Sequence, residues 1–342
     1  MIWNPFLQHE QLSLGIDIGT ASIKAVQLLR KGNIQTLKNY GEINLTQIGE
    51  ETAGLKIIES QIAASIRDLL SYSRMPARQA AFSVPTFSSF STIVRLPAMP
   101  QGELERAVRF EARRSIPIPL ADVHFEWIKL KHLSNNRVFK VMVVAVPSEV
   151  IARYYRIAKS AGLQITHLEL ETFSAARALG VLEEARSALV LDIGTRSSGL
   201  SIVENSVAAF HRNIDTAGIS FTRVLSRALS ISAERAEGLK REHGLTDRET
   251  GKVLTPLVDK IVTEIEKSIK EYMAEGGSRP VRIIAHGGSV LMAGLLPYIQ
   301  ENTNIPVELG NAFGRMETPP ELTDYLAKNA PQFAVASGLA LH

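Results

Sequence analysis

The 342-residue sequence has no cysteine. Disulfides and thiolate metal sites are therefore excluded, and the composition fits a reducing compartment. Aromatic residues make up only 6% of the chain. Long apolar runs are missing too: the densest, Val141–Val146, has strand length, well short of the roughly 18 residues of a membrane span. A formal net charge of +3 is too small at this length to argue for nucleic acid, whose binding needs basic residues clustered on one face. The N-terminus lacks a basic segment followed by an apolar core, so no signal peptide is expected. No amphipathic anchor follows the small apolar stretch Gln332–Leu341. A cytoplasmic globular protein is the expectation, with 45% apolar and 21% charged residues and a length that suggests two lobes.

What is present is a repeated turn. Gly15-Ile16-Asp17-Ile18-Gly19-Thr20-Ala21-Ser22-Ile23-Lys24 places an aspartate and a run of small residues between two apolar segments. This reads as a β-hairpin whose turn, free of bulky side chains, can aim several backbone N–H groups at one phosphate. Asp17 beside it is placed to hold hydrated Mg²⁺. Alone, such a hairpin is most simply a turn. The chain repeats it at Leu191–Val203, where Asp192-Ile193-Gly194-Thr195-Arg196-Ser197 again lies between apolar strands. One such hairpin per half of the chain predicts a cleft in which both grip a polyphosphate.

The remaining pattern is α/β. Leu12–Leu29 forms the first hairpin, Asn33–Asn39 a third strand, Thr52–Leu70 a helix and Ala80–Val84 a strand. Then come strand Phe90–Leu96, helix Gln101–Ser115, strands Val123–Leu130 and Val138–Val146 around Ser134-Asn135-Asn136, and helix Ser148–Ala161 capped by Ser148. That set reads as a small α+β insertion. Arg106, Arg109, Arg113 and Arg114 give the Gln101–Ser115 helix either a basic docking face or, more simply, a solvated face paired with Glu103, Glu105 and Glu111. Strand Leu163–Leu170 and helix Glu171–Leu179 precede the second hairpin, and helices Gly218–Leu229, Ser232–His243 and Pro256–Met273 follow it. The sheet resumes at Val281–Ala285 and leads through Gly287-Gly288-Ser289 into a helix at about Leu291–Glu301. The glycine pair either lets backbone approach a flat group such as a nucleobase or simply makes a tight turn. Gln332–Leu341 is expected to be a closing helix at the lobe junction.

Paired phosphate hairpins, a late glycine pair and intervening helices resemble the actin-like ATPase superfamily, which includes MreB, FtsA, sugar kinases and the heat-shock chaperones. The insertion is similar to that of the PilM family of type IV pilus assembly proteins. Phe82-Ser83-Val84-Pro85-Thr86, Arg95-Leu96-Pro97-Ala98-Met99-Pro100 and Ala107-Val108-Arg109-Phe110-Glu111-Ala112-Arg113-Arg114-Ser115-Ile116-Pro117 carry that similarity. It implies a two-lobed, ribonuclease H-like α/β fold with an α+β insertion in the first lobe and a helical subdomain in the second. The implied boundaries are 1–84, 163–186 and 325–342 for the first-lobe core, 85–162 for the insertion, 187–217 and 280–324 for the second-lobe core, and 218–279 for the helices.

The resemblance also implies a site for ATP and Mg²⁺. Gly19, Thr20, Ala21, Ser22 and Lys24 match the first phosphate motif, and Gly194, Thr195, Arg196 and Ser197 the second, with Asp17 and Asp192 facing the metal. Arg196 and Ser197 replace the glycines of the chaperone form. Ala236-Glu237-Gly238-Leu239-Lys240 resembles an MreB segment that reaches ribose and base, so Glu237 and Lys240 become adenosine contacts along with Gly287, Gly288 and Ser289. Glu171 matches the chaperone acid that orients the attacking water. By helix logic alone, Glu171 or Thr172 is an N-terminal cap.

The implied function is a cytoplasmic ATP-binding scaffold of the pilus inner-membrane complex, with slow or negligible ATP turnover. Its partner would be the cytoplasmic N-terminal tail of PilN, held in a groove bounded by Ala80–Leu96 and the Gln101–Leu120 region. Contact with the membrane is then indirect, and pilus motor ATPases remain open as further partners. The rival readings are a brisk ATPase or kinase, an FtsA-like polymerising protein, and a GspL-like secretion scaffold.

Overall fold

The computed structural model describes residues 11–45, 55–134, 137–184 and 186–342. The N-terminal arm (apart from Gln11), the first residues of the Thr52–Leu70 helix and Asn135-Asn136 lie outside them. The chain opens with strands β1 (Gln11–Ile18), β2 (Ser22–Lys31) and β3 (Ile34–Asn44), then helix α1 (Leu55–Tyr72) and strand β4 (Gln79–Val84). The next stretch holds β5 (Phe90–Pro97), α2 (Gln101–Ser115), β6 (Val123–Lys129), β7 (Val138–Pro147) and α3 (Ser148–Ala161). After β8 (Gln164–Leu170) and α4 (Glu171–Ala178) come β9 (Ala188–Ile193), β10 (Ser198–Glu204) and β11 (Val207–Ile214). Helices α5 (Gly218–Leu229), α6 (Ala233–Glu242) and α7 (Arg248–Ala274) follow, then β12 (Ile283–His286), α8 (Leu295–Thr303), β13 (Val307–Leu309), α9 (Thr323–Asn329) and α10 (Ala334–Ala340).

Two sheets share one topology. The first runs β3-β2-β1-β4-β8 and the second β11-β10-β9-β12-β13. In each, an antiparallel meander of three strands continues into two parallel ones. The repeated hairpin in the sequence is thus the opening of a repeated sheet. Contacts divide the chain into two compact units, one of Met1–Pro85, Ala152–Gly180 and Asn311–His342, the other of Thr86–Ile151 and Val181–Gly310.

In the first unit, α10 seals the core. Its small residues let it lie directly on β1 and α4: a Cβ on Gly15 would stand 2.2 Å from the Ala336 carbonyl oxygen. Phe313, Leu326 and Phe333 pack with Val26, Leu28 and Leu37 around it. Burying each such side chain is worth roughly 1.5–3 kcal/mol. The expected closing helix therefore exists, shorter than Gln332–Leu341, and its place is inside this core.

In the second unit, α7 is the longest helix and differs from its expected start. Asp247 caps it, its carboxylate accepting from the Glu249 and Thr250 N–H groups at 2.9 and 3.1 Å. Pro256 consequently lies inside the helix rather than opening it. The lost hydrogen bond and ring clash of an interior proline are offset by the buried stripe Leu254, Val258, Ile261, Ile265, Ile269 and Tyr272.

The three-stranded sheet β5-β7-β6 and α2 form their own apolar cluster, including Leu104, Val108, Ala112, Val141 and Val143. This segment is inserted between β4 and β8 in the chain, but by contacts it groups with the second unit rather than the first. Glu275, just after α7, explains part of this: it accepts from Arg95 Nε of β5 at 3.1 Å and pairs with Lys140 of β7 at 3.1 Å. On α2, Arg109 pairs with Glu105 and Arg114 with Glu111, as a solvated face would.

Smaller differences have local causes. Ser148 is the first residue of α3 rather than a cap before it. A 3-10 turn, Gly288–Leu291, delays α8 to Leu295. Strands β11 and β13 and helix α9 had no clear sequence period and were not expected.

Candidate functional site

The first hairpin closes through one hydrogen bond, from the Gly19 N–H to the Ser22 carbonyl at 3.0 Å. A Cβ on Gly19 would come within 2.9 Å of that oxygen, so the turn requires the missing side chain. Thr20 and Ala21 form the half-buried tip, and Ala21 also accepts the Leu45 N–H at 2.8 Å. Asp17 stands opposite Lys24 in the β1–β2 register and accepts a hydrogen bond from Ser83 Oγ of β4 at 2.8 Å. The Lys24 ammonium is held by Ser22 Oγ at 2.6 Å and by Glu42 at 3.2 Å.

Glu171 opens α4, where a carboxylate meets the positive end of the helix. The cap position belongs to Leu170, which makes no side-chain bond, so neither Glu171 nor Thr172 caps the helix. The buried Tyr154 phenol of α3 senses both Asp17 and Glu171. Its pKa is pushed far up, first by burial and then by those two charges. Ser83 and Tyr154 are the residues here that sequence reasoning missed. Ser83 lies in a stretch noted only for its likeness to a family, and Tyr154 reads as one more core residue.

The second hairpin reproduces the first. The Gly194 N–H donates to the Ser197 carbonyl at 3.0 Å, and a Cβ on Gly194 would lie 2.8 Å from that oxygen. Thr195 and Arg196 are exposed at its tip. Asp192 pairs in register with Gly199 and His286, and its Oδ1 lies 3.6 Å from His286 Nδ1.

Around this turn the other expected residues of the second unit gather. The N-terminus of α5 docks on it: Gly218 N–H donates to the Gly194 carbonyl at 2.9 Å and Ile219 N–H to the Thr195 carbonyl at 2.7 Å. Ser289 Oγ donates to the same Gly194 oxygen at 3.1 Å. Gly287 has φ +94°, and a Cβ there would meet Asp192 Oδ1 at 2.4 Å. Gly288 is different, with open space where its Cβ would point.

Glu237 and Lys240 close the cluster from α6. Lys240 Nζ contacts Glu237 Oε2 at 2.6 Å, Thr222 Oγ1 at 3.3 Å and the Gly218 carbonyl at 3.5 Å. Thr222 also donates to Glu237 at 2.6 Å. Burial alone pushes the Glu237 carboxyl up, but hydrogen bonds from Lys240 and Thr222 hold it below the usual carboxylate range. Burial pushes the Lys240 ammonium down. Gly218 and Thr222 were absent from the expected set; a glycine opening a helix two residues after Thr216 was the available signal.

The repeated sheet, each copy bearing a carboxylate beside a glycine-closed turn, defines the α/β fold of the actin-like ATPases. The model of the family described as type IV pilus assembly protein PilM matches residues 15–342, and the chain belongs to that family. Among solved structures, a chain of a PilM-PilN type IV pilus biogenesis complex is 26% identical, with a TM-score of 0.83 over 96% of this chain and 97% of that one. The ethanolamine utilization protein EutJ from Carboxydothermus hydrogenoformans shares the fold at 18% identity and a TM-score of 0.59, over 97% and 89% of the two chains. MreB5 of Spiroplasma citri bound to AMPPNP shares it at 14% identity and a TM-score of 0.50, over 97% and 95%. No helix among the described residues is long and apolar enough to cross a membrane.

Proposed function

We propose that this chain is an ATP-binding scaffold of the type IV pilus inner-membrane assembly complex and that it captures the cytoplasmic N-terminal tail of PilN. The observation that carries the nucleotide half is the identity of the two turns, each closed by a glycine N–H to a serine carbonyl at 3.0 Å beside a carboxylate. Gly19–Ser22 and Gly194–Ser197 would hold the phosphates through backbone N–H groups, and Asp17 and Asp192 a hydrated Mg²⁺. The residues fit a nucleotide in one further respect: the open face of Gly288, beside buried Ser289, leaves room for a base or ribose. Glu237 and Lys240, bonded to each other, would shape the adenosine side. Lys24, held by Ser22 and Glu42, would steady the first turn. MreB5 with bound AMPPNP lends general support to nucleotide binding on this fold.

Mg-ATP, when bound, would supply the charge that the carboxylates and backbone N–H groups of these turns are suited to hold, rather than a reaction to be completed. Phosphoryl transfer depends on positioning and charge stabilisation, and Glu171 is the single candidate for orienting water. Turnover is therefore expected to be slow, and ATP to act by stabilising the bound conformation through mass action.

The partner half rests on family membership and on the PilM-PilN complex. Its groove is proposed along Ala80–Leu96 and the Gln101–Leu120 region. Strand β5, at one edge of its sheet, supports a peptide docking by strand addition. On this reading the protein is cytoplasmic and reaches the inner membrane through its partner.

Calorimetry with ATP and Mg²⁺, followed by a synthetic peptide of the PilN N-terminus, tests both halves. Saturable binding of each supports the scaffold. Deletion of Thr86–Pro147, which keeps α3 and its buried Tyr154 in the first unit, should remove peptide binding while sparing ATP. Peptide binding that survives the deletion puts the groove elsewhere, and absence of ATP binding removes the nucleotide reading.

A further inference from the structure

On the first sheet, away from the hairpin turns, three side chains with metal-ligating atoms converge. His167 and Glu169 are two residues apart on β8, so they share one face of that edge strand. His342, just beyond α10, stacks its ring on that of His167 with centroids 3.6 Å apart. Each of the three offers a ligand atom, and these atoms all lie within 4.8 Å of one another. His167 Nε2 and Glu169 Oε2 are 3.6 Å apart. Two ligands on one tetrahedral Zn²⁺, at about 2.0–2.1 Å each, are about 3.3 Å apart. His167 and Glu169 already approach that spacing, and the exposed His342 ring completes the set by rotating out of its stack on His167 to aim a nitrogen at the same ion.

We propose that His167, Glu169 and His342 form a site for a first-row divalent metal ion, with Zn²⁺ the favoured occupant, that staples the segment after α10 to β8. Two imidazoles and a carboxylate are the donor set that suits Zn²⁺. The backbone that carries His342 is already positioned for it: Ser13 Oγ donates to the Ala340 carbonyl at 2.7 Å and Arg30 to the His342 carbonyl oxygen at 3.0 Å. Glu169 is likewise fixed. Arg177 donates to its Oε1 and Oε2 at 2.6 and 2.8 Å and to the Gly338 carbonyl at 2.8 Å, and Ser174 Oγ donates to Oε1 at 2.9 Å. These bonds are the outer support that a metal-bound carboxylate needs. A cavity of about 210 Å³ lined by His167, His342 and Thr166 gives room for a water as the fourth ligand. The nearby Arg177 and Arg30 repel a dication, which makes this a site of moderate affinity.

The test is calorimetric titration of the tag-free full chain with ZnCl₂, together with thermal melts with and without Zn²⁺. One equivalent should bind, and Zn²⁺ should raise the melting temperature. His167→Ala, at a half-buried position outside the core, and His342→Ala, at an exposed one, should each weaken binding by at least the roughly 10–100-fold seen when an outer-shell partner is lost. Both should also abolish the Zn²⁺-dependent rise in melting temperature. No saturable binding to the unmodified chain overturns the proposal. So does undiminished binding by the double variant, which would mean an adventitious ion only.

Discussion

Gly338 of α10 lies so close to Ser174 of α4 that a Cβ built on the glycine would stand 1.7 Å from the serine carbonyl oxygen. No side chain can be added there without moving a helix. On another side, α10 also presses closely on Gly15 of β1, where a Cβ would stand 2.2 Å from the Ala336 carbonyl oxygen.

Gly338→Ala is therefore expected to destabilise the protein by about 1–3 kcal/mol, the usual cost of overpacking a core. A chemical melt should show the transition at lower denaturant. An unchanged midpoint would mean that α10 is not docked on α4.

Asp17→Ala and Asp192→Ala should each weaken Mg-ATP binding by roughly 1.5–3 kcal/mol, the worth of a bond to a charged group, or about one to two decades in affinity. Ser83→Ala removes one bond to Asp17 and should cost less. Isothermal titration measures all three, and undiminished affinity in Asp17→Ala excludes that carboxylate from the site.

The two adjacent glycines should behave in opposite ways. Gly287→Ala forces a side chain into a left-handed backbone and against Asp192, so stability should fall by about 1–3 kcal/mol. Gly288→Ala meets nothing within the protein and should keep stability within about 0.5 kcal/mol. Its effect should appear in ATP affinity alone. If Gly288→Ala binds ATP as the parent does, the nucleotide does not use that open face.

Acid should release the Glu237 cluster. Because hydrogen bonding holds the folded-state carboxyl below its ordinary value against burial, its contribution is fully present above the ordinary glutamate pKa of about 4.3. It is lost as pH falls through the lowered folded value. Glu237→Gln should flatten the stability profile in that acidic window. At neutral pH it should destabilise, since Lys240 stays buried with its charge unpaired. A profile identical to the parent's would show that this pair contributes nothing.

Much of this architecture was legible because short motifs report local geometry. Asp17-Ile18-Gly19-Thr20 and Asp192-Ile193-Gly194-Thr195 announced turns, and the structure closes both with the same bond. Helix α2 was readable end to end because Leu104, Val108 and Ala112 mark its buried face. Helix α7 was misread at its start because Pro256 looks like a beginning, whereas Asp247 was the true cap. Local propensity yielded there to a buried stripe. The support of Asp17 by Ser83, and of Glu237 by Thr222, was not legible: each joins residues distant in the chain, and a lone serine or threonine carries no period.

The position of α10 has a consequence for how the chain is made. Its residues leave the ribosome about 300 residues after strands β1 and β2, whose core they complete. At synthesis rates of about 5–20 residues per second, the apolar faces of those strands wait for tens of seconds without their covering helix. The second unit, which ends at Gly310, is free to fold during that interval. Nascent-chain trapping should then find it protease-resistant while the N-terminal strands are still open to a holding chaperone.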